Sequence, residues 1–195
     1  MWKRVAAVVA LTTLAVTVQA SPVMAGATGL STDGLAAAAR EARSLDPADG
    51  VVRVQAAVAD ADVAQPVGRH VCYQAYVQGL GWDEVRCDTQ IAGTIGEGQM
   101  MEAIAIGVSP EVGSVCYQAH IQRLGWDDVR CNTQIAGLVG EGYGLDGLAI
   151  GVQLGGVCYQ AHLQGSGWEE VRCNTQIAGT TNEATPLEAI AIGVF

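Results

Sequence analysis

Trp82, Trp126 and Trp168 each follow a glycine and precede two acidic residues: Asp83-Glu84, Asp127-Asp128 and Glu169-Glu170. An indole beside carboxylates is the chemistry of a sugar platform. The flat ring stacks on a pyranose face while neighbouring polar side chains hydrogen-bond the hydroxyls. Gln74, Gln118 and Gln160 recur upstream of the three tryptophans and supply amides. The candidate carbohydrate-binding set is therefore Trp82, Trp126, Trp168, Asp83, Asp127, Glu169, Gln74, Gln118 and Gln160. The competing reading is structural. In it, each Trp plugs a hairpin into a shared core and the glutamines line the solvated face of a strand.

These residues recur because one block is written three times, over 71–108, 115–152 and 157–194, with no insertion inside a copy. Each copy opens V-C-Y-Q-A, passes through G-W-x-x-V-R-C-x-T-Q-I-A-G and closes on A-I-G-V or its near equivalent. A repeat unit cannot bury its apolar face alone, so the copies are expected to share a core. Within copy one, alternation puts Val71, Tyr73, Ala75 and Val77 on one strand face and Cys72, Gln74, Tyr76 and Gln78 on the other. Gly79 to Gly81 reads as a turn and Trp82 to Cys87 as the return strand. Thr89 to Gly93 reads as a short third strand, and Met101 to Val108 as a fourth. The prediction is an all-β, closed pseudo-threefold domain of about twelve strands, β-trefoil-like with a β-prism as the alternative.

Six cysteines fall two per copy at one spacing. If each copy turns near Gly79-Leu80 or its equivalent, the two cysteines face each other across antiparallel strands at a separation a disulfide can bridge. The expected bonds are Cys72–Cys87, Cys116–Cys131 and Cys158–Cys173. Each contributes about 3 kcal/mol in the chain-entropy account. Zinc is a poor alternative, because the spacing lacks C-x2-C and exported thiols oxidise. Convergence of His120 and His162 on a metal is broken by Tyr76 in copy one. No metal and no cofactor is expected.

Residues 1–20 read as a signal peptide: basic Lys3 and Arg4, an apolar run, and a Val18-Gln19-Ala20 cleavage site, with another at Ala25. Residues 21–70 read as an Ala-rich, partly ordered leader. A short helix is possible around residues 33–43, and Val51 to Val58 reads as a strand. The formal charge is −10, and Lys3 is the only lysine. Such a chain is a poor ligand for phosphate, which argues against nucleic acid and against anionic membranes. No membrane insertion is expected after signal cleavage. Arg86, Arg130 and Arg172 are placed to pair with Glu102, Asp146 and Glu188 of their own copies.

The pattern Tyr159-Gln160-Ala161-His162, Gly167-Trp168, Ala178-Gly179-Thr180 and Leu187-Glu188-Ala189-Ile190 resembles the clostridial hydrophobic W repeat. All three copies carry it. Copy two departs at Leu138 and Asp146-Gly147, and copy one has Tyr76 where the others have His120 and His162. The paired cysteines lie outside the motif. The resemblance implies export and a role in surface attachment through polysaccharide or protein. Scarce lysine and heavy use of Ala, Gly and Val fit a GC-rich, streptomycete-like source.

No catalytic motif is present: no G-x-S-x-G, H-E-x-x-H or Walker A sequence. Three near-identical units suit multivalent binding better than one asymmetric pocket. The expectation is a secreted, disulfide-stabilised, non-catalytic module, extracellular or cell-wall associated. Its expected ligand is cell-wall or other extracellular polysaccharide, and the alternative is a cell-surface protein bound without a sugar site.

Overall fold

The computed structural model describes residues 54, 55, 57, 68–181 and 185–195. The expected signal peptide, most of the expected leader and the short helix expected around residues 33–43 lie outside the described residues. From Val71 onward the structure is all-β.

Copy one contains β1 (Val71–Val77), β2 (Gly81–Trp82), β3 (Arg86–Cys87), β4 (Ala92–Gly93) and β5 (Met101–Val108). Copy two repeats them as β6 (Val115–Ile121), β7 (Gly125–Trp126), β8 (Arg130–Cys131), β9 (Ala136–Gly137) and β10 (Leu145–Val152). Copy three supplies β11 (Val157–Leu163), β12 (Gly167–Trp168), β13 (Arg172–Cys173), β14 (Ala178–Gly179) and β15 (Leu187–Val194). Among the described residues, fifteen strands replace the expected twelve because the return strand is broken. Trp82 and Cys87 both pair with β1, but in separate two-residue pieces. The intervening residues leave the ladder: the Asp83 N–H still reaches Ala75 O at 2.9 Å, whereas Glu84 is exposed.

The long strands of each copy pair antiparallel, β1 with β5, β6 with β10 and β11 with β15. Alternation decides which face enters the shared core, while in β1 both faces are buried. Val71, Tyr73, Ala75, Val77, Ile104 and Ile106, with their equivalents in the other copies, enter one common core. The cysteines point the other way. Cys72 stands opposite Cys87 in register, as Cys116 does opposite Cys131 and Cys158 opposite Cys173. All three expected disulfides are formed, each with Cα atoms 4.1 Å apart.

No sheet closes on itself. Instead, each copy's last strand pairs with the Ala-Gly strand of the next. Thus β5 takes β9, β10 takes β14, and β15 returns to β4 of copy one. The glycine makes this possible. Gly93, Gly137 and Gly179 hold φ near +100°, and a Cβ there would overlap a backbone carbonyl of the neighbouring copy. A buried tyrosine from each copy locks the same seam. The Tyr117 hydroxyl donates to Gln134 O and accepts the Ile106 N–H of copy one at 3.0 Å. Tyr159 and Tyr73 repeat this toward Ile150 and Ile192. Removing these hydroxyls from water pushes the Tyr73 pKa up to about 12 and raises those of Tyr117 and Tyr159.

The reading of Val51 to Val58 as a strand is corrected at the three positions the structure describes. Val54, Gln55 and Ala57 are helical. Alanine favours helix, and Val54 packs against the outer face of copy one's sheet.

Candidate functional site

The outer face of each sheet carries the signature tryptophan. The two-residue strands β2, β7 and β12 hold it opposite residue 76, 120 or 162. The glycine before it adopts positive φ, which bends the chain so that the indole lies over the sheet. In copy one the Trp82 ring meets the Tyr76 ring edge to face, with centroids 5.4 Å apart. His120 and Trp126, and His162 and Trp168, do the same at 5.2 Å. A carboxylate stands behind each histidine: His120 Nδ1 is 2.5 Å from Asp146 Oδ1, and His162 Nδ1 is 3.2 Å from Glu188 Oε2.

Most of the other candidate sugar ligands are engaged in holding the backbone. The Gln74, Gln118 and Gln160 amides donate to the carbonyls of Asp83, Asp127 and Glu169, the last two at 2.7 and 2.6 Å. These are not solvated strand residues: Gln74 is buried, and Gln118 and Gln160 are half-buried. The carboxylates of Asp83, Asp127 and Glu169 accept the N–H of Gly93, Gly137 and Gly179 at 3.0, 3.2 and 2.6 Å. Each acidic residue after a Trp thus fixes the strand that is passed to the neighbouring copy. Burial raises the pKa of Glu169, against the lowering effects of the Gly179 N–H and Arg172.

The pairing expected of the arginines is also corrected. Arg86 meets Glu84 at 3.1 Å, Arg130 meets Asp127 and Asp128, and Arg172 meets Glu170. Glu102 and Glu188 instead turn to the loop of another copy. Glu102 accepts the Gly140 N–H at 2.8 Å, and Glu188 accepts those of Gly96 and Gly98, each at 3.1 Å. Burial raises the pKa of Glu102, and the N–H groups of Gly140 and Gly142 oppose that rise.

The three equivalent indoles end in two different environments. Trp82 is fully buried, whereas Trp126 is 40% and Trp168 38% exposed. Beside Trp126 lies a groove of about 580 Å³ with Val129, Ala149, Thr175 and Ile177 in its lining. Beside copy three's sheet lies another of about 440 Å³, lined in part by Thr89, Gln160, Val171 and Ala191. Sequence reasoning missed the apolar members of these faces. The signal available was the valine of G-W-x-x-V and the isoleucine of Q-I-A-G. Both recur in all copies, yet Val129, Val171, Ile91 and Ile177 all point into solvent.

Residues 76–110 and 162–194 match the clostridial hydrophobic W family. Copies one and three are thus similar to clostridial hydrophobic W repeats over these two segments. Copy two, with Leu138 and Asp146-Gly147, lies outside the match but builds the same sheet. No curated protein and no solved structure matches the chain. The three disulfides suit an oxidising compartment. Among the described residues, no helix is long and apolar enough to cross a membrane.

Proposed function

We propose that the chain is an exported, non-catalytic binding module that grips a protein partner outside the cell through its two open Trp faces. One observation carries this reading. The same indole that copy one covers with its own chain is open in copies two and three; Trp126 lines an apolar groove, and copy three's sheet carries another groove lined by Val171 and Ala191. The signal peptide at 1–20 and the three disulfides support export. One sheet per unit around a common core supports a prism-type rather than a trefoil-type arrangement.

Polysaccharide is the other ligand class that an exposed indole suits. A sugar also needs polar groups free to meet its hydroxyls. Here the nearest amides and carboxylates already serve the backbone, while Val129 and Ile177 widen the apolar surface. That balance favours an adhesion or assembly role through protein. Two related faces on one chain would add avidity to weak individual contacts.

The test is retention of cell-wall glycans and of surface proteins on immobilised wild-type chain and on a Trp126→Ala/Trp168→Ala chain. The expected result is protein retention that the double substitution abolishes. Trp-dependent retention of glycan alone would overturn the ligand class. Retention indifferent to both tryptophans would overturn the site.

A further inference from the structure

Copy one shows what fills a Trp face. Val54, fully buried, joins Cys72, Tyr76, Trp82, Ala103 and Ala105 in a second apolar cluster, with Ala57, Val85 and Ile135 at its margin. Val54 and Ala57 are three apart on a helical segment and so share a face. Between them, Gln55 donates its amide to Thr133 Oγ1 at 3.0 Å. The occupant is therefore a helical piece of chain with an aliphatic side chain against the indole, a carboxamide on a threonine and a small residue beyond.

Copies two and three present a related receptor, with His120 or His162 in place of Tyr76, and among the described residues no such occupant lies on it. Val129 and Ile177 stand where Val85 and Ile135 stand in copy one, and Val171 and Ile91 do so in copy three. These four are 59%, 44%, 56% and 42% exposed. Thr133 has its counterparts in Thr175 and Thr89, one in each groove. The Thr175 hydroxyl donates to Asn174 O at 2.6 Å, as the Thr133 hydroxyl donates to Asn132 O at 2.6 Å. The threonine that accepts Gln55 in copy one is thus set in the same orientation in copy two.

We infer that the grooves of copies two and three each receive a short helical segment of a partner polypeptide, with the Val-Gln-x-Ala chemistry of residues 54–57. The aliphatic residue covers Trp126 or Trp168, and the carboxamide bonds to Thr175 or Thr89. This rests on the reading of the Trp faces as protein-binding surfaces, and it names the kind of segment bound. Copy one is then a site already filled in cis.

The probe is a helix-stabilised peptide of residues 50–60, titrated into the full disulfide-bonded chain carrying Trp2→Phe. Buried Trp82 contributes a constant background, so emission and acrylamide quenching follow Trp126 and Trp168. The expected result is a saturable blue shift with protection from quencher, at two peptides per chain. Trp126→Ala or Trp168→Ala should each reduce this to one. A peptide carrying the Val54→Asp change should not bind. A second form appends residues 50–60 after Phe195 on a flexible tether, which raises their effective concentration to about millimolar. It should protect an indole without added peptide. The inference is overturned if neither the free nor the tethered segment protects either indole, or if the Val54→Asp peptide binds equally well. If the segment fails but surface-protein retention still depends on Trp126 and Trp168, the helix inference alone falls. If that retention is also indifferent to them, the underlying reading falls with it.

Discussion

Trp82 and Trp126 occupy the same register of the same kind of sheet, behind the same glycine, yet one is fully buried and the other 40% exposed. The seams between copies show the opposite behaviour. There the tyrosine clasps and the Ala-Gly strands repeat around the ring with bond lengths that agree closely. The inner structure of this domain is therefore symmetric and its outer surface is not. Symmetry holds where each copy needs its neighbour for burial and hydrogen bonding. Among the described residues, it is lost where Val54 and Ala57, from outside the repeats, lie on copy one.

That contrast predicts which substitutions have copy-specific effects. Trp82→Ala should lose about 3–5 kcal/mol of stability, the usual result of emptying a buried aromatic site. Trp126→Ala or Trp168→Ala should lose only about 1–2 kcal/mol, because those rings already lie partly in water. Denaturant unfolding of the three variants checks this, and equal losses would break the comparison. Gly137→Ala or Gly179→Ala should each cost about 3 kcal/mol or more, since a side chain at positive φ would overlap the adjacent copy's carbonyl. Here the two copies should agree, and a large difference would mean that the seams are not equivalent.

The tyrosine clasps sharpen the symmetric half. Tyr73→Phe, Tyr117→Phe and Tyr159→Phe each leave a buried N–H and a carbonyl without their partner, at about 1–3 kcal/mol apiece. Folding raises the pKa of all three hydroxyls above the ordinary value near 10, and that of Tyr73 to about 12. For a group whose pKa is raised in the folded state, the stabilisation is present below the unfolded value. It is lost as pH climbs through the folded value. Stability should therefore decline from about pH 10 toward pH 12, read by circular dichroism within minutes of a pH jump. Each Tyr→Phe change should flatten that decline. The smallest effects belong to the surface pairs of Arg86, Arg130 and Arg172. Their replacement by Gln should move stability by about 0–1 kcal/mol, with no difference between copies.

The sequence made the long strands and the disulfides legible because both rest on strict periodicity. Alternation fixes which face of Val71–Val77 enters the common core, and equal cysteine spacing fixes which residues stand opposite each other. The exchange of strands between copies was not legible. Ala92–Gly93 is too short to show a period, and its partner Ala189–Ile190 lies almost a whole domain away in sequence. The roles of Gln74 and Asp83 were hidden for a related reason, since a polar side chain that bonds a backbone reads the same as one that awaits a ligand. The difference between Trp82 and Trp126 has little local signal. Both sit in G-W followed by acids, facing Tyr76 in one copy and His120 in the other, and among the described residues Val54 packs beside Trp82.

The measurement that bears most directly on this account is acrylamide quenching of three single-Trp chains, in which every other tryptophan is replaced by Phe. The account predicts a blue-shifted, protected Trp82 and readily quenched Trp126 and Trp168. It further predicts that Val54→Asp makes Trp82 behave like the other two. Three indoles that quench alike in the unsubstituted background, or a Trp82 indifferent to Val54, would contradict it.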